Sequence, residues 1–231
     1  VGERFQSAVE DTEGIGDGDA VVADGHPGRP AAIDTGKDLA ASVNRTLRSM
    51  GIPCRPDAEI LGFVGDGVRK LLERSLGEGH RERLGEALPR FRAIYAEHLL
   101  DRTTLYPGVT DVLDHFGDKP KVLITNKNEE FTFSLCRGLG IDARFREIIG
   151  GDSKEYMKPD PRLLLPLFDR YGAGPGETLV VGDGVNDILL ARNAGARACA
   201  FLNGLGSREE LLRLNPDFTI ERMIDLTRIA C

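Results

Sequence analysis

The chain has 231 residues, with 30 Lys and Arg against 37 Asp and Glu and a formal net charge of −7, a length that suits one or two domains. Without a basic excess it is not expected to read a nucleic-acid backbone, and no apolar run of about 18 residues is present to cross a membrane. Val1 onward lacks the basic and apolar regions of a secretory signal, and Cys54, Cys136, Cys199 and Cys231 form no CxxC pair, so a reduced, cytoplasmic setting without structural zinc is expected.

The charge is unevenly spread. Residues 1–38 hold nine acids and three bases, a net of −6, and the first leucine is Leu39. Such a segment has few large side chains to bury, and residues 1–38 read as an atypical, acidic, Gly-rich stretch, loop-like or disordered. Residues 39–105 read as helical. Leu39, Val43 and Leu47 share one face and Gly51 is a stop; Val68, Leu71, Leu72 and Leu76 repeat the pattern, as do Leu88, Phe91, Ile94, Tyr95 and Leu99.

After Tyr106-Pro107-Gly108 the rhythm changes, and residues 106–231 read as alternating strands and helices. Lys121–Thr125, Phe145–Ile149, Thr178–Val181 and Ala198–Leu202 are strand candidates. Glu129–Leu139, a face of Leu163, Leu164, Leu167 and Phe168 ending near Gly172, and Val185–Ala194 are helix candidates. Short apolar strands alternating with amphipathic helices specify an α/β fold: a mostly parallel, doubly wound sheet with an inserted helical subdomain.

In open α/β sheets ligands bind beyond the carboxyl ends of the strands, and there the sequence is polar. Asp183 and Asp187 flank a glycine-rich strand end entering a helix. Two carboxylates so placed can meet one hard cation such as Mg²⁺, or serve as a turn residue and a helix-start acid. Lys158, between Met157 and Pro159, can neutralise a phosphoryl group or be a solvated surface lysine. Thr125 and Asn126 can donate to phosphate oxygens or simply end a strand.

Taken in order, Thr125, Lys158 and Gly182-Asp183-x-x-x-Asp187 resemble the second, third and fourth motifs of the haloacid dehalogenase superfamily, in its branch of phosphatases with a helical cap. Ile33-Asp34-Thr35, Asn44-Arg45-Thr46-Leu47, Gly65-Asp66-Gly67, Tyr106-Pro107-Gly108-Val109, Thr125-Asn126-Lys127 and Lys158-Pro159-Asp160-Pro161 extend the resemblance to the phosphoglycolate phosphatases, over roughly residues 33–228. The resemblance implies Mg²⁺-dependent hydrolysis of a small phosphate monoester, foremost 2-phosphoglycolate, through an aspartyl-phosphate. It implies Thr125, Asn126 and Lys158 as phosphate holders, Asp183 and Asp187 at the metal, and a cap over residues 39–105 whose Gly65-Asp66-Gly67 loop reaches the leaving group. The partner implied is a small phosphorylated metabolite, and a monomer or homodimer is expected. A phosphosugar mutase and a pyrophosphatase are the other activities this scaffold carries.

The family's first motif, Asp-x-Asp-Gly-Thr-(Leu/Val)-x-Asp-(Ser/Thr), departs here. Its tail is Ile33-Asp34-Thr35, and counting back in register puts Pro27 at the nucleophile and Arg29 at the acid/base position, neither of which can do that chemistry. Ala20–Gly25 offers a second register: a short strand ending in Asp24 as the nucleophile, with His26 two residues on as acid/base and three extra residues before Asp34. Three readings stay open: a phosphatase using Asp24, a non-catalytic phosphate- or Mg²⁺-binding member, and a shifted reading frame over residues 1–32.

Overall fold

The computed structural model describes residues 20–24 and 32–229. Six strands make one parallel sheet: β1 (Ala20–Asp24), β4 (Lys121–Ile124), β5 (Glu147–Ile149), β6 (Thr178–Gly182), β7 (Arg197–Phe201) and β8 (Phe218–Ile220), in the spatial order β5-β4-β1-β6-β7-β8. β4 and β6 are buried along their whole length, which is why they read as unbroken apolar runs rather than alternating ones. Alternate residues still face opposite ways. Leu123, Leu179, Val181, Cys199 and Phe201 join one apolar cluster, and Val122, Ile124, Val180, Ala198 and Ala200 join the other, as the two-residue period of a strand requires.

Helices cover both faces. α5 (Val109–His115) and α6 (Glu129–Gly138) contribute to the first cluster; α7 (Leu165–Tyr171), α8 (Val185–Ala194) and α9 (Arg208–Arg213) contribute to the second. α8 starts directly after β6 and ends on Gly195, whose φ of +75° is a left-handed cap. From β1 the chain moves outward through β4 to β5, then crosses back to lay β6, β7 and β8 on the other side. The winding direction therefore reverses at β1, and the crevice such a reversal opens lies at the carboxyl ends of β4, β1 and β6.

A helical subdomain is inserted between two very short strands, β2 (Ile33–Asp34) and β3 (Thr104–Leu105), which pair antiparallel and hold its entry and exit side by side. It comprises α1 (Gly36–Ser49), α2 (Asp57–Gly62), α3 (Gly67–Leu76) and α4 (Leu84–His98). Leu39, Val43 and Leu47 of α1 are buried, as their spacing predicts, against a cluster including Leu71, Leu72, Leu76, Phe91 and Tyr95. The junction is tied by Asp38, 1 % exposed, which accepts from Arg102 N (2.8 Å) and Thr103 Oγ1 (2.8 Å).

Of the two readings of the first segment, a loop-like stretch and a short strand ending in Asp24, the structure has the strand, as β1. Residues 1–38, read as loop-like, include the central strand β1, the strand β2 and the start of α1. β1 is held by backbone pairing to β4 on one side and β6 on the other, which needs no leucine in the sequence. β2, β3, β8 and α9 were not expected; at two to six residues they are too short for a periodic signal. The remaining strands start or stop within about two residues of the predicted ends, except that the Phe145–Ile149 candidate is cut to Glu147–Ile149 by a tight turn over Asp142–Arg144. Cys136 and Cys199 lie in the core, where burial pushes both thiols up to about 12, which removes them as nucleophiles at neutral pH.

The two kinds of acid in this fold separate experimentally. Asp38→Ala leaves the part-buried Arg102 N–H and the buried Thr103 hydroxyl without their acceptor, so urea unfolding should show a loss of about 1–3 kcal/mol. Asp114→Ala removes a solvent-exposed pair with Arg144 and should cost about 0.5 kcal/mol or less.

Candidate active site

Three segments meet at the carboxyl edge of β4, β1 and β6. The first follows β4. Thr125 N–H donates to Ile149 O (2.9 Å), and Thr125 Oγ1 accepts from Lys127 N (3.2 Å). A hydroxyl has one proton and two lone pairs, so this bond leaves the Thr125 O–H proton for another acceptor. Asn126 faces the second segment. Its Nδ2 donates to Lys158 O (3.1 Å), and its Oδ1 accepts from Lys158 N (2.8 Å). The Asn126 amide thereby clamps the lysine loop in place.

Lys158 is the opposite of a solvated surface lysine. Its side chain is fully buried, and its Nζ donates to Asp187 Oδ1 at 2.6 Å, on a carboxylate that is also fully buried. Asp187 Oδ2 accepts from Gly184 N (2.9 Å), closing the first turn of α8. A Cβ on Gly182 would collide with the Asp187 carboxyl group, so the strand must end in glycine for this acid to fold back beneath it. Asp183 is also fully buried. Its Oδ2 accepts from Leu205 N (2.8 Å), and a Cβ on Gly204 would occupy the same space as its side chain.

The donor set bears on Mg²⁺, which takes one or two protein carboxylates with waters and a phosphate oxygen. Asp183 fits: it is a hard oxygen donor at a strand end, oriented through one oxygen by Leu205. Asp187 accepts from Lys158 Nζ on one oxygen and from Gly184 N on the other, each oxygen keeping a second lone pair. Both acids of that expectation stand at the end of β6, and Asp187 also holds Lys158. β1 ends at Asp24, in register with Ile124, while Ala23 is in register with Val181. The last residue of the central strand is thus one position short of the levels of Thr125 and Asp183. His26, Pro27 and Arg29 lie outside the described residues.

The helical subdomain sits over this edge. Asn186 Nδ2 donates to Gly65 O (3.2 Å), and Gly67, at a φ of +84°, lies against Asn126 O. Asp66 of the same loop turns away to pair with Arg74 (2.5 Å), both side chains being more than 40 % exposed. The Gly65-Asp66-Gly67 segment is therefore both the start of α3 and the part of the subdomain that meets the two core loops. A cavity of about 360 Å³ opens between Leu61–Asp66, Gly184–Asn186 and Leu205–Glu210. On the other flank, Lys127 Nζ donates to Tyr95 Oη (2.6 Å). Sequence reasoning did not single out the side chains of Lys127, Asn186 and Tyr95 or the Leu205 amide. Lys127 and Asn186 adjoin recognised motif residues, whereas nothing local marks Tyr95 or Leu205.

Comparison with known proteins agrees with this arrangement. A family model for haloacid dehalogenase-like hydrolases matches residues 12–195. A phosphoglycolate phosphatase of Nitrosospira multiformis is 32 % identical over 204 residues, covering 85 % of this chain and 90 % of that protein. Phosphoglycolate phosphatase 1 of Pseudomonas aeruginosa is 36 % identical over 207 residues, covering 86 % and 75 %. Among solved structures, a predicted phosphoglycolate phosphatase from Haemophilus somnus superposes with a TM-score of 0.85 at 23 % identity, covering 94 % of this chain and 100 % of that one. With its parallel sheet, its inserted helices and three motifs gathered at one sheet edge, the chain belongs to the haloacid dehalogenase-like hydrolase family.

Proposed function

We propose that the chain is a phosphatase for a small phosphate monoester, foremost 2-phosphoglycolate, acting through an aspartyl-phosphate on Asp24 with Mg²⁺ as cofactor. The observation that carries this reading is the ammonium of Lys158, fully buried beside the Thr125 loop and aimed by Asp187. Asp187 offsets the cost of burying this cation and holds it at the ligand edge of the sheet, where it can also meet a phosphoryl oxygen. The names of the relatives supply the substrate.

In this mechanism the substrate phosphate lies over the ends of β4, β1 and β6. The Thr125 hydroxyl and the Lys158 ammonium hold its non-bridging oxygens and offset the charge that spreads over them in the transition state. Asp24 attacks phosphorus in line with the ester oxygen. As the Asp24 O–P bond forms and the ester P–O bond breaks, the departing alcohol takes a proton from the acid/base, His26 in this register. The same group then accepts a proton from a water that attacks the aspartyl-phosphate, releasing inorganic phosphate and restoring the Asp24 carboxylate. Asp183 would hold Mg²⁺, which would supply positive charge to the transferring phosphoryl group. The helical subdomain acts as the cap, excluding water and limiting the size of the leaving group. A cytoplasmic setting and a monomeric or dimeric state accompany this proposal.

A second reading, phosphate binding without turnover, is favoured by one observation. The register counted back from Asp34 puts Pro27 and Arg29 where the family has its two working aspartates.

Phosphate release from 2-phosphoglycolate separates the two readings. With Mg²⁺ the purified chain should turn over, Asp24→Asn should abolish it, and undiminished turnover in that variant would contradict the mechanism. Lys158→Met should lower kcat by about 10²–10³-fold, the typical loss of one transition-state donor. Chelation should stop the reaction and added Mg²⁺ restore it; Asp183→Asn should not recover at the Mg²⁺ concentration that saturates the native chain. A chain that binds inorganic phosphate through Lys158 but releases none from the ester is the second reading.

A further inference from the structure

The polar groups at the carboxyl edge have a counterpart at the opposite end of the sheet. β4 begins at Lys121 and β5 at Glu147, and the two strands run parallel. The residues at and just before these starts therefore gather at the amino edge, about 13 Å from Thr125 at roughly 3.3 Å per strand residue. A cavity of about 420 Å³ opens there, lined by Lys119, Lys121, Arg144 and Arg146 together with Leu113 and Phe145. None of the described residues lining it is acidic, and its volume is in the range of small-molecule sites.

Lys121 is the fixed part of this cavity. It is 5 % exposed, and its Nζ donates to Phe116 O and to Lys119 O (3.1 Å), capping the carboxyl end of α5. An ammonium has three N–H groups, so one is left to donate. Burial pulls its pKa below the usual lysine range; Asp118 opposes that, Arg144 and Arg146 add to it, and Asp114 opposes it. Arg146 is held beside it, since the Arg146 backbone N–H donates to Lys121 O at 2.7 Å. Its side chain is exposed and makes no ion pair among the described residues. Arg144 pairs with Asp114 across a solvent-exposed contact, a kind of pair weak enough to exchange partners. Asp114 and Asp118 set against the four bases leave this patch with a net of two positive charges, on a chain whose net is −7.

We propose that this cavity at the amino edge is a second anion site, taking a small anion with two or more linked phosphate groups. A single phosphate answers one or two of the cations; linked phosphates spread their charge over both the lysine and the arginine walls. Arg146 and Arg144 supply planar, paired N–H groups that match phosphate oxygens, and Lys121 supplies a point charge anchored by the backbone. The cavity is separated by the length of β4 from Thr125, Lys158 and Asp183, so the proposal does not rest on the phosphatase reading.

Calorimetric titration with imidodiphosphate, a non-hydrolysable diphosphate, tests this in the presence of a chelator. The native chain should bind it at least about tenfold more tightly than inorganic phosphate, with an affinity that falls as salt rises. Arg146→Glu should weaken binding about 10- to 100-fold, the usual value of a charged hydrogen bond. Asp114→Ala, which releases Arg144, should tighten it about two- to fivefold. Both substitutions fall on exposed side chains, so neither disturbs the core; Lys121→Met should also lose binding. Hydrogen exchange on adding imidodiphosphate should slow over residues 116–121 and 142–147. Binding that ignores both exposed substitutions, or protection confined to residues 125–127 and 158, would put the anion at the other edge and overturn the proposal. So would a native chain that does not bind imidodiphosphate, or one that binds a single-stranded oligonucleotide more tightly. Each of these results leaves the phosphatase reading standing, since that reading fails only in the ester assay.

Discussion

The ion pair between Lys158 and Asp187 is the constraint around which the carboxyl edge of the sheet is organised. Removing two charges from water costs several kcal/mol per ion after relaxation, and attraction at 2.6 Å recovers it only with supporting bonds. The structure provides them: Gly184 N–H on the second Asp187 oxygen, and the two-way amide clamp from Asn126 on the Lys158 backbone. Each support makes its own demand. Gly182 must lack a side chain, α8 must begin within two residues of β6, and the loop after β4 must carry an amide. Residues 126, 158 and 182–187 come from three separate stretches of the sequence, and one buried pair fixes their mutual positions.

Topology decides where this pair can do something useful. Because the winding reverses at β1, the loops after β4 and β6 splay apart over the end of the central strand, and an anion can enter between them. Both loops also reach upward. Asn186, between the two acids, donates to Gly65, and Lys127, two residues past Thr125, donates to Tyr95. The helical subdomain is thus held by the same two loops that carry the polar motifs. Its presence over the site is coupled to the arrangement of the site itself, and its root is fixed independently at Asp38.

Much of this was legible in the sequence because it is local. The apolar runs at Lys121–Ile124 and Thr178–Val181 and the glycine-flanked acids after the second run announce a parallel sheet with a polar edge. The three motifs do come together at that edge. What was not legible depends on contacts between distant residues. The spacing of Asp183 and Asp187 points to a shared cation but does not reveal that a lysine 29 residues upstream bonds the second acid. Asp66 looks available within a turn, yet Arg74, two turns along α3, captures it. β2 and β3 pair two residues each, a length at which periodicity carries no information. Lys127 adjoins a recognised motif, but its destination is set by the packing of Tyr95 between Phe91 and Phe131.

Asp24 is the least expected element, for it ends a central strand that lies in an acidic, leucine-free stretch. Its position on β1, between the strands that bear Thr125 and Asp183, joins that stretch to the site. The most direct measurement is a crystal structure of the chain with Mg²⁺ and tungstate, a phosphate mimic. The anion should lie at the ends of β4, β1 and β6, contacting the Lys158 ammonium and the Thr125 hydroxyl, with Asp24 facing it and Asp183 at the metal. An anion bound elsewhere, or a Lys158 that stays on Asp187 with no anion in reach, would contradict the assignment of this edge as a phosphate site.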